Sequence, residues 1–238
     1  MISAWNAPRA NDAWQARATE QPRERQSGRL RYAIEPWEIE SALRIRREVF
    51  VHEQGVFDYH DRDRFDALSL NIIALQRGSR SSCVKQVGPD HADRREPVEG
   101  TVRLHRGDFP AHCSQAVGDE RVWWGSRLAI VKAHRGAAAT AAGLIRKAVA
   151  SAVAIGCDRF FAHIQPQNRR LFARLGWNEL AFIRHENLPH LLVEADLERF
   201  DPAILLTETE VAWARYLHSQ TASSNHDQRL KRCLRVEP

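Results

Sequence analysis

Residues 1–28 alternate Arg, Gln, Asn, Ser and Pro with no hydrophobic period. A segment this polar buries too little apolar surface to offset its ordering entropy, and it reads as a disordered lead. Patterning starts at "RLRYAI" (29–34), a short strand. Pro36 suits the first turn of a helix, and Ile39, Ala42, Leu43, Val49 and Phe50 follow at helical spacing. "SLNIIAL" (69–75) predicts a strand, 76–98 a polar insert, "VEGTVRLHR" (98–106) a strand, 107–120 a loop, and "RVWWGSRLAIV" (121–131) another strand. Over 138–155, Ala141, Leu144, Ile145, Ala148, Val149 and Ala152 share one helical face, and Gly156 ends it. "RFFAHIQ" (159–165) is a strand, Pro166 opens a helix through Leu175, and "WNELAFI" and "HLLVEADL" are two more strands. Asp201-Pro202 opens a last amphipathic helix to about residue 218, followed by a frayed tail. The order β-α-β-β-β-α-β-α-β-β-α predicts an α/β domain with a mixed sheet between helices.

The length of 238 residues suits one domain with tails, and 43% apolar residues supply a core. Of the 35 basic residues 31 are Arg, and the net charge is +5. That skew fits either phosphate recognition by the planar guanidinium fork or the codon use of a GC-rich genome. The charge is spread rather than clustered, so no nucleic-acid partner is expected. There is no apolar leader or spanning run, so no membrane is expected. Cys83, Cys113, Cys157 and Cys233 show no CxxC spacing, which fits a reduced, cytoplasmic setting. The 11 His residues show no ligand spacing such as H-E-x-x-H, so no metal is expected.

Two features demand chemistry. Arg46 lies on the apolar face of the first helix, and a charge there needs a partner or a job. An acidic loop follows, with Asp58, Asp61, Asp63 and Asp66 interleaved with Arg62 and Arg64. Second, His134-Arg135-Gly136 joins a strand to the Ala-rich helix. A helix N-terminus, an Arg fork and a glycine that admits close approach make a phosphate cradle.

From 121 to Trp177 the chain resembles the GNAT (GCN5-related) N-acetyltransferases. The family's Arg/Gln-x-x-Gly-x-Gly/Ala loop is matched at Arg135 and Gly136, with Ala138 where the family usually has Gly. "NRRLFARLGW" resembles its Asn-…-Leu-Tyr-x-x-x-Gly-Phe segment. "LRIRREVFVHEQGVFDYHDRDRFDAL" and "PHLLVEADL" resemble the bacterial nitrogen-starvation branch, and the likeness covers roughly 29–198. It implies a GNAT-type mixed, mostly antiparallel twisted sheet with helices on both faces, as an acyltransferase domain over 29–200, with 201–238 a C-terminal helix and tail. It implies acetyl-CoA, or another acyl-CoA, held by Leu128, Ala129, Ile130, Arg135, Gly136, Ala137, Ala138, Asn168 and Phe172. The resemblance also implies a small-molecule amine as acceptor, and backbone N–H near Leu128–Ala129 would meet the oxyanion. The family's proton-donating Tyr is here Phe172, so Ser126, a water or a nearby His substitutes, or the thiolate leaves unaided. Candidate general bases are Glu53, Asp61, Asp63, Asp66, His105 and His163; Glu53 is favoured by position and His163 by its intrinsic pKa. The aspartates favour a cationic amine or pair internally with Arg62 and Arg64. Phe57, Tyr59, Trp123 and Trp124 suit a partly apolar substrate or core packing.

A second resemblance is to the acyl-homoserine-lactone synthases, which use S-adenosylmethionine and an acyl carrier. It rests on Arg46 four before Phe50, Asp61-x-Asp63-x-x-Asp66, Arg103 and Ser126-Arg127; Trp124 replaces that family's Glu. It places Arg46, Asp63, Asp66 and Trp124 at the acceptor site, with Arg46 ion-paired to Asp63 or Asp66. A third reading is a non-catalytic CoA-binding module with a partner protein. The last helix either covers the sheet edge or docks a second chain as a homodimer.

Overall fold

The computed structural model describes residues 29–76, 97–110, 121–135, 138–216 and 218–219. The expected disordered lead, the body of the insert at 77–96 and the polar tail lie outside the described residues. The strands are β1 (Arg29–Tyr32), β2 (Leu70–Leu75), β3 (Val98–Arg106), β4 (Val122–Ile130), β5 (Arg159–Ile164), β6 (Trp177–His185) and β7 (Leu188–Ala195). They form one sheet in the order β1-β2-β3-β4-β5-β7-β6. Every pairing is antiparallel except β4 with β5.

Helices cover both faces. α1 (Pro36–Arg47) continues as a π-helical segment, Glu48–Glu53. Its first turn is fixed by Glu38, whose carboxylate accepts from the Ile34 and Glu35 N–H groups at 2.8 and 3.0 Å and pairs with Arg31. Ala42, Ile45 and Val49 pack on Ile73, Leu75 and Ala129. Ile39, expected on this face, is exposed; it lies at the rim of a stripe centred on Ala42 and Ile45. On the other face, α2 (Ala138–Ala154) lays Leu144, Ile145, Ala148, Val149 and Ala152 on the main core.

The predicted helix 166–175 resolves into a 3₁₀ turn, Pro166–Asn168, and α3 (Arg169–Arg174). The predicted helix 202–218 is broken: α4 is only Pro202–Leu205, and a second helical stretch runs over 208–216. Thr207 is the reason. Its Oγ1 accepts from the Glu210 N–H at 3.2 Å while the Glu210 carboxylate accepts from the Thr207 N–H at 3.0 Å, a reciprocal cap that starts a new helix. This stretch docks on α2: Ala214 is fully buried, Glu210 pairs with Lys147, and Arg215 Nε donates to the Ala154 carbonyl at 3.1 Å.

Two irregularities prepare the site. Between the pairs Thr101↔Ala129 and Arg103↔Ser126, β4 carries one residue more than β3. The bulge holds Arg127 at φ +54°, a left-handed conformation costly for any residue with a Cβ. And β4 pairs β5 only from Val122↔Arg159 to Gly125↔Ala162. Beyond that rung β4 stays with β3 to Ile130 while β5 stays with β7 to Ile164, so the sheet splits.

Candidate active site: a split sheet beside six paired charges

α1, the acidic loop, β3 and β4 bring three guanidinium groups and three carboxylates together. Arg46 is wholly buried. Its Nε donates to Asp61 Oδ2 at 2.7 Å, and Nη1 and Nη2 donate to the two Asp66 oxygens at 2.6 and 3.1 Å. Arg103 forks onto Asp63 at 2.7 and 2.8 Å, and its Nε donates to Ser126 Oγ at 3.0 Å. Arg127 reaches Asp61 at 3.0 Å and Asp63 at 3.2 Å. Arg46 therefore pairs with Asp61 and Asp66 and not with Asp63, which serves the two strand arginines. Burial alone would lower the Arg46 pKa, but the Asp66 and Asp61 carboxylates raise it. Burial would likewise raise Asp63 and Asp66, but Arg103 and Arg46 respectively hold each below the usual carboxylate range. Such carboxylates are poor proton acceptors; this removes Asp63 and Asp66 from the candidate bases. Asp61 is almost wholly buried and ion-paired to both Arg46 and Arg127.

Beside this cluster opens a cavity of about 760 Å³. On the α1 side of the sheet its wall includes Phe57, Asp63, Phe65, Arg127 and Trp124. Gly107 makes room for Trp124, since a Cβ there would lie 2.6 Å from the indole, and the indole N–H donates to the Asp108 carbonyl at 2.9 Å. His163 from β5 stands with its ring 4.9 Å from Trp124 and 4.4 Å from His185, which is 5.5 Å from His190. All three histidines line the cavity. Burial, reinforced by His190, lowers the His185 pKa. His105, stacked on Phe65 at 4.1 Å, is pushed down to about 4, chiefly by burial. It is neutral at pH 7 and a weak base.

No protein-family profile matches the chain, and no curated protein matches it. Solved structures do. ElaA from Escherichia coli is similar at TM-score 0.52 and 15% identity, over 71% of this chain and 99% of that one. FeeM, an N-acyl amino acid synthase from uncultured soil microbes, is similar at 0.51 and 14%, over 72% and 93%. The AHL synthase LasI is similar at 0.52 and 14%, over 71% and 89%. The fold is that of the GNAT acyltransferases.

Within the GNAT fold the expected site residues fall into three groups. Ser126, Trp124, His163, Leu128, Asn168 and Phe172 line this cavity. Ser126 accepts from Arg103, which leaves its own O–H to donate. Phe172 carries no polar group and packs its ring 5.1 Å from Trp177. Ala129 and Ile130 turn their side chains into the two apolar clusters on either face and are not part of the cavity lining. Arg135 and Glu53 form the second group. Arg135 Nη1 pairs with Glu53 at 2.6 Å and Arg135 Nε donates to the Ile130 carbonyl at 2.8 Å. Glu53, expected as a general base, is thus a partner of Arg135 and is not part of the cavity lining. Gly136 and Ala137 form the third group and lie outside the described residues, as does the side chain of Ala138. His185 and His190 were missed. The signal was present in "HLLVEADL", where strand alternation puts His190 on the face of Leu192; His185 lay just past the predicted end of β6.

Among the described residues no group of His, Cys, Asp or Glu is placed to hold a metal, and no helix is long and apolar enough to cross a membrane. Cys157, the cysteine among them, is buried, with its thiol pushed up to about 12 by burial.

Proposed function

We propose that this chain is an N-acyltransferase that moves an acyl group from an acyl-CoA to a small-molecule amine. The observation that carries the reading is the split beyond Gly125↔Ala162. It leaves the β4 backbone from Ser126 onward without a strand partner on the β5 side, and the cavity runs through that opening. An extended pantetheine amide chain fits such an edge as an added strand does. Leu128 and Ala129 would supply backbone contacts from β4 and Asn168 a side-chain amide from the opposite wall. Bound acyl-CoA supplies a thioester carbonyl already activated toward amines.

The protein's own groups supply the rest. His163, the expected base carried on β5 into the cavity wall, takes the proton of the attacking amine. Ser126, polarised by Arg103, donates a hydrogen bond toward developing negative charge. Trp124, Phe57 and Phe65 exclude water. In the balance an N–C bond forms, the C–S bond breaks, and the proton released by the amine ends on the departing thiolate. The sequence resemblance favours acetyl-CoA and the nitrogen-starvation branch.

A second reading has one observation in its favour. Arg46, Asp61, Asp63, Asp66, Arg103, Ser126 and Arg127, which carry the resemblance to the acyl-homoserine-lactone synthases, form one contiguous cluster. S-adenosylmethionine would then be the acceptor. Thermal unfolding with CoA, acetyl-CoA and S-adenosylmethionine separates the readings. A ligand at about 100 times its dissociation constant adds roughly 2.7 kcal/mol. Stabilisation by the CoA species, followed by amine-dependent thiol release, is the expected result. Stabilisation by S-adenosylmethionine as well selects the second reading, and silence with the CoA species overturns the first.

A further inference from the structure

The cavity does not stop at the sheet. Strand alternation gives its two sides opposite characters. On the α1 side it meets Arg103, Ser126, Arg127 and the histidines. Through the opening beyond Gly125 and Ala162 it continues on the α2 side between Val102, Leu128, Ile145, Ala148, Phe160 and Ile164, with Phe172 and Trp177 closing the end. Of these only Trp177 carries a polar side-chain atom, an indole N–H with no hydrogen-bond partner. Protein interiors are packed to crystal density, and a void lined by alkyl and aromatic groups has too few polar partners to hold water. An empty arm inside the main core is therefore a cost unless something apolar fills it. An acetyl methyl does not need it.

Resting on the N-acyltransferase reading, we propose that this arm is an acyl-chain pocket and that the acyl group transferred is an unbranched alkanoyl chain longer than acetyl. The chemistry places the two ends. The thioester carbonyl stays at the opening, within reach of the β4 edge and the polar side, while the alkyl chain passes the Gly125–Ala162 rung into the core under α2. Gly125 and Ala162 are the smallest residues of their strands, and Ala148 is the small residue of α2 facing the arm. The donor is recognised as an acyl-pantetheine thioester, whether carried on CoA or on a carrier protein.

The test is calorimetric titration of the full chain with CoA and with acetyl-, butanoyl-, octanoyl- and dodecanoyl-CoA. Affinity should rise two- to fourfold for each methylene buried, then level off when the arm is full. A flat series from acetyl onward overturns the proposal. Ala148→Phe, which fills the arm from α2, should lower affinity for octanoyl-CoA relative to acetyl-CoA at least tenfold; Val102→Phe plugs it independently from β3 should the first variant fail to fold. An unchanged ratio in a folded variant overturns the location. Octanoyl-pantetheine separates this proposal from the reading beneath it. If it binds with the same chain-length dependence while CoA adds nothing, the arm stands and the CoA donor falls. If CoA and acetyl-CoA bind and longer chains gain nothing, the acyltransferase reading stands and the arm falls.

Discussion

Arg46 shows how far one residue could be read and where the reading stopped. Its place on an apolar helical face called for a carboxylate, and the loop fifteen to twenty residues on holds several. Which aspartate it takes depends on the turn Asp63–Asp66, where Asp66 accepts from the Asp63 N–H at 2.9 Å, and no periodicity announces that turn. The burial makes a sharp prediction. Arg46→Met leaves Asp61 to Arg127 alone and Asp66 to Arg103 alone, with three carboxylates to two cations, which should cost about 3–5 kcal/mol in chemical denaturation. Arg46→Lys should also destabilise, since one ammonium does not reproduce a fork across two carboxylates. The loss with Met should shrink in acid: Asp66 has a folded pKa below its ordinary 3.8, so its contribution is present above that value and disappears as pH falls through the folded one. His105 titrates in a different window. Its folded pKa of about 4 lies below the ordinary 6.5, so the unfolded chain binds the proton first, and stability is lost as pH falls from 6.5 toward 4. His105→Phe should remove up to roughly 3 kcal/mol of that pH dependence, seen as a flatter plot of unfolding free energy against pH. His163→Gln, by contrast, should leave stability nearly unchanged and lower kcat about 100- to 10,000-fold; an unaltered kcat removes His163 from the mechanism.

At the scale of elements, β3, β5 and β7 were legible as apolar runs buried on both faces, and α2 as a helix by the stripe Leu144, Ile145, Ala148, Val149 and Ala152. The seams between elements were less so. The bulge in β4 and the end of its pairing with β5 are properties of two strands at once, and neither is written in one strand's pattern. The break at Leu206–Thr207 was writable: Thr207 with Glu210 three residues on is a capping signature that the apolar pattern of 202–218 overrode. Loop 107–110 illustrates how an element shapes the site without touching chemistry. The glycine at 107 leaves the space that the Trp124 indole occupies, and Asp108 then holds it through its carbonyl. Gly107→Ala should force the indole from the cavity wall, costing about 1–3 kcal/mol as overpacking does, and raising KM for the amine while CoA affinity holds. Equal loss of both affinities would mean that Trp124 only props the strand.

For the whole molecule, the main core joins α2, the split sheet and the C-terminal segment, and its least legible property is space. A sequence lists which side chains are apolar but not where they fail to meet, so the arm under α2 left no trace beyond an excess of Ala and Gly near β4, β5 and α2. The same core sets the domain's edge. Residues 201–238 were read as a C-terminal helix and tail; of these Leu206 and Ala214 are buried, as is Phe200 before them, and Glu210 meets Lys147, which is itself almost wholly buried on α2. Desolvating a lysine is tolerable only with its partner in place. Glu210→Ala should therefore remove both the ion pair and half of the Thr207 cap. The expected loss is about 2–4 kcal/mol, read as a lower urea midpoint with unchanged slope. Thr207→Ala removes the hydroxyl half of the cap while keeping the ion pair, and should cost only about 1 kcal/mol. If the two substitutions cost the same, Lys147 has found water or another partner, and the segment 208–216 is an appendage on the core. If Glu210→Ala costs clearly more, the helix is part of the wall that shapes α2, and trimming the chain after Phe200 will disturb the cavity that α2 encloses.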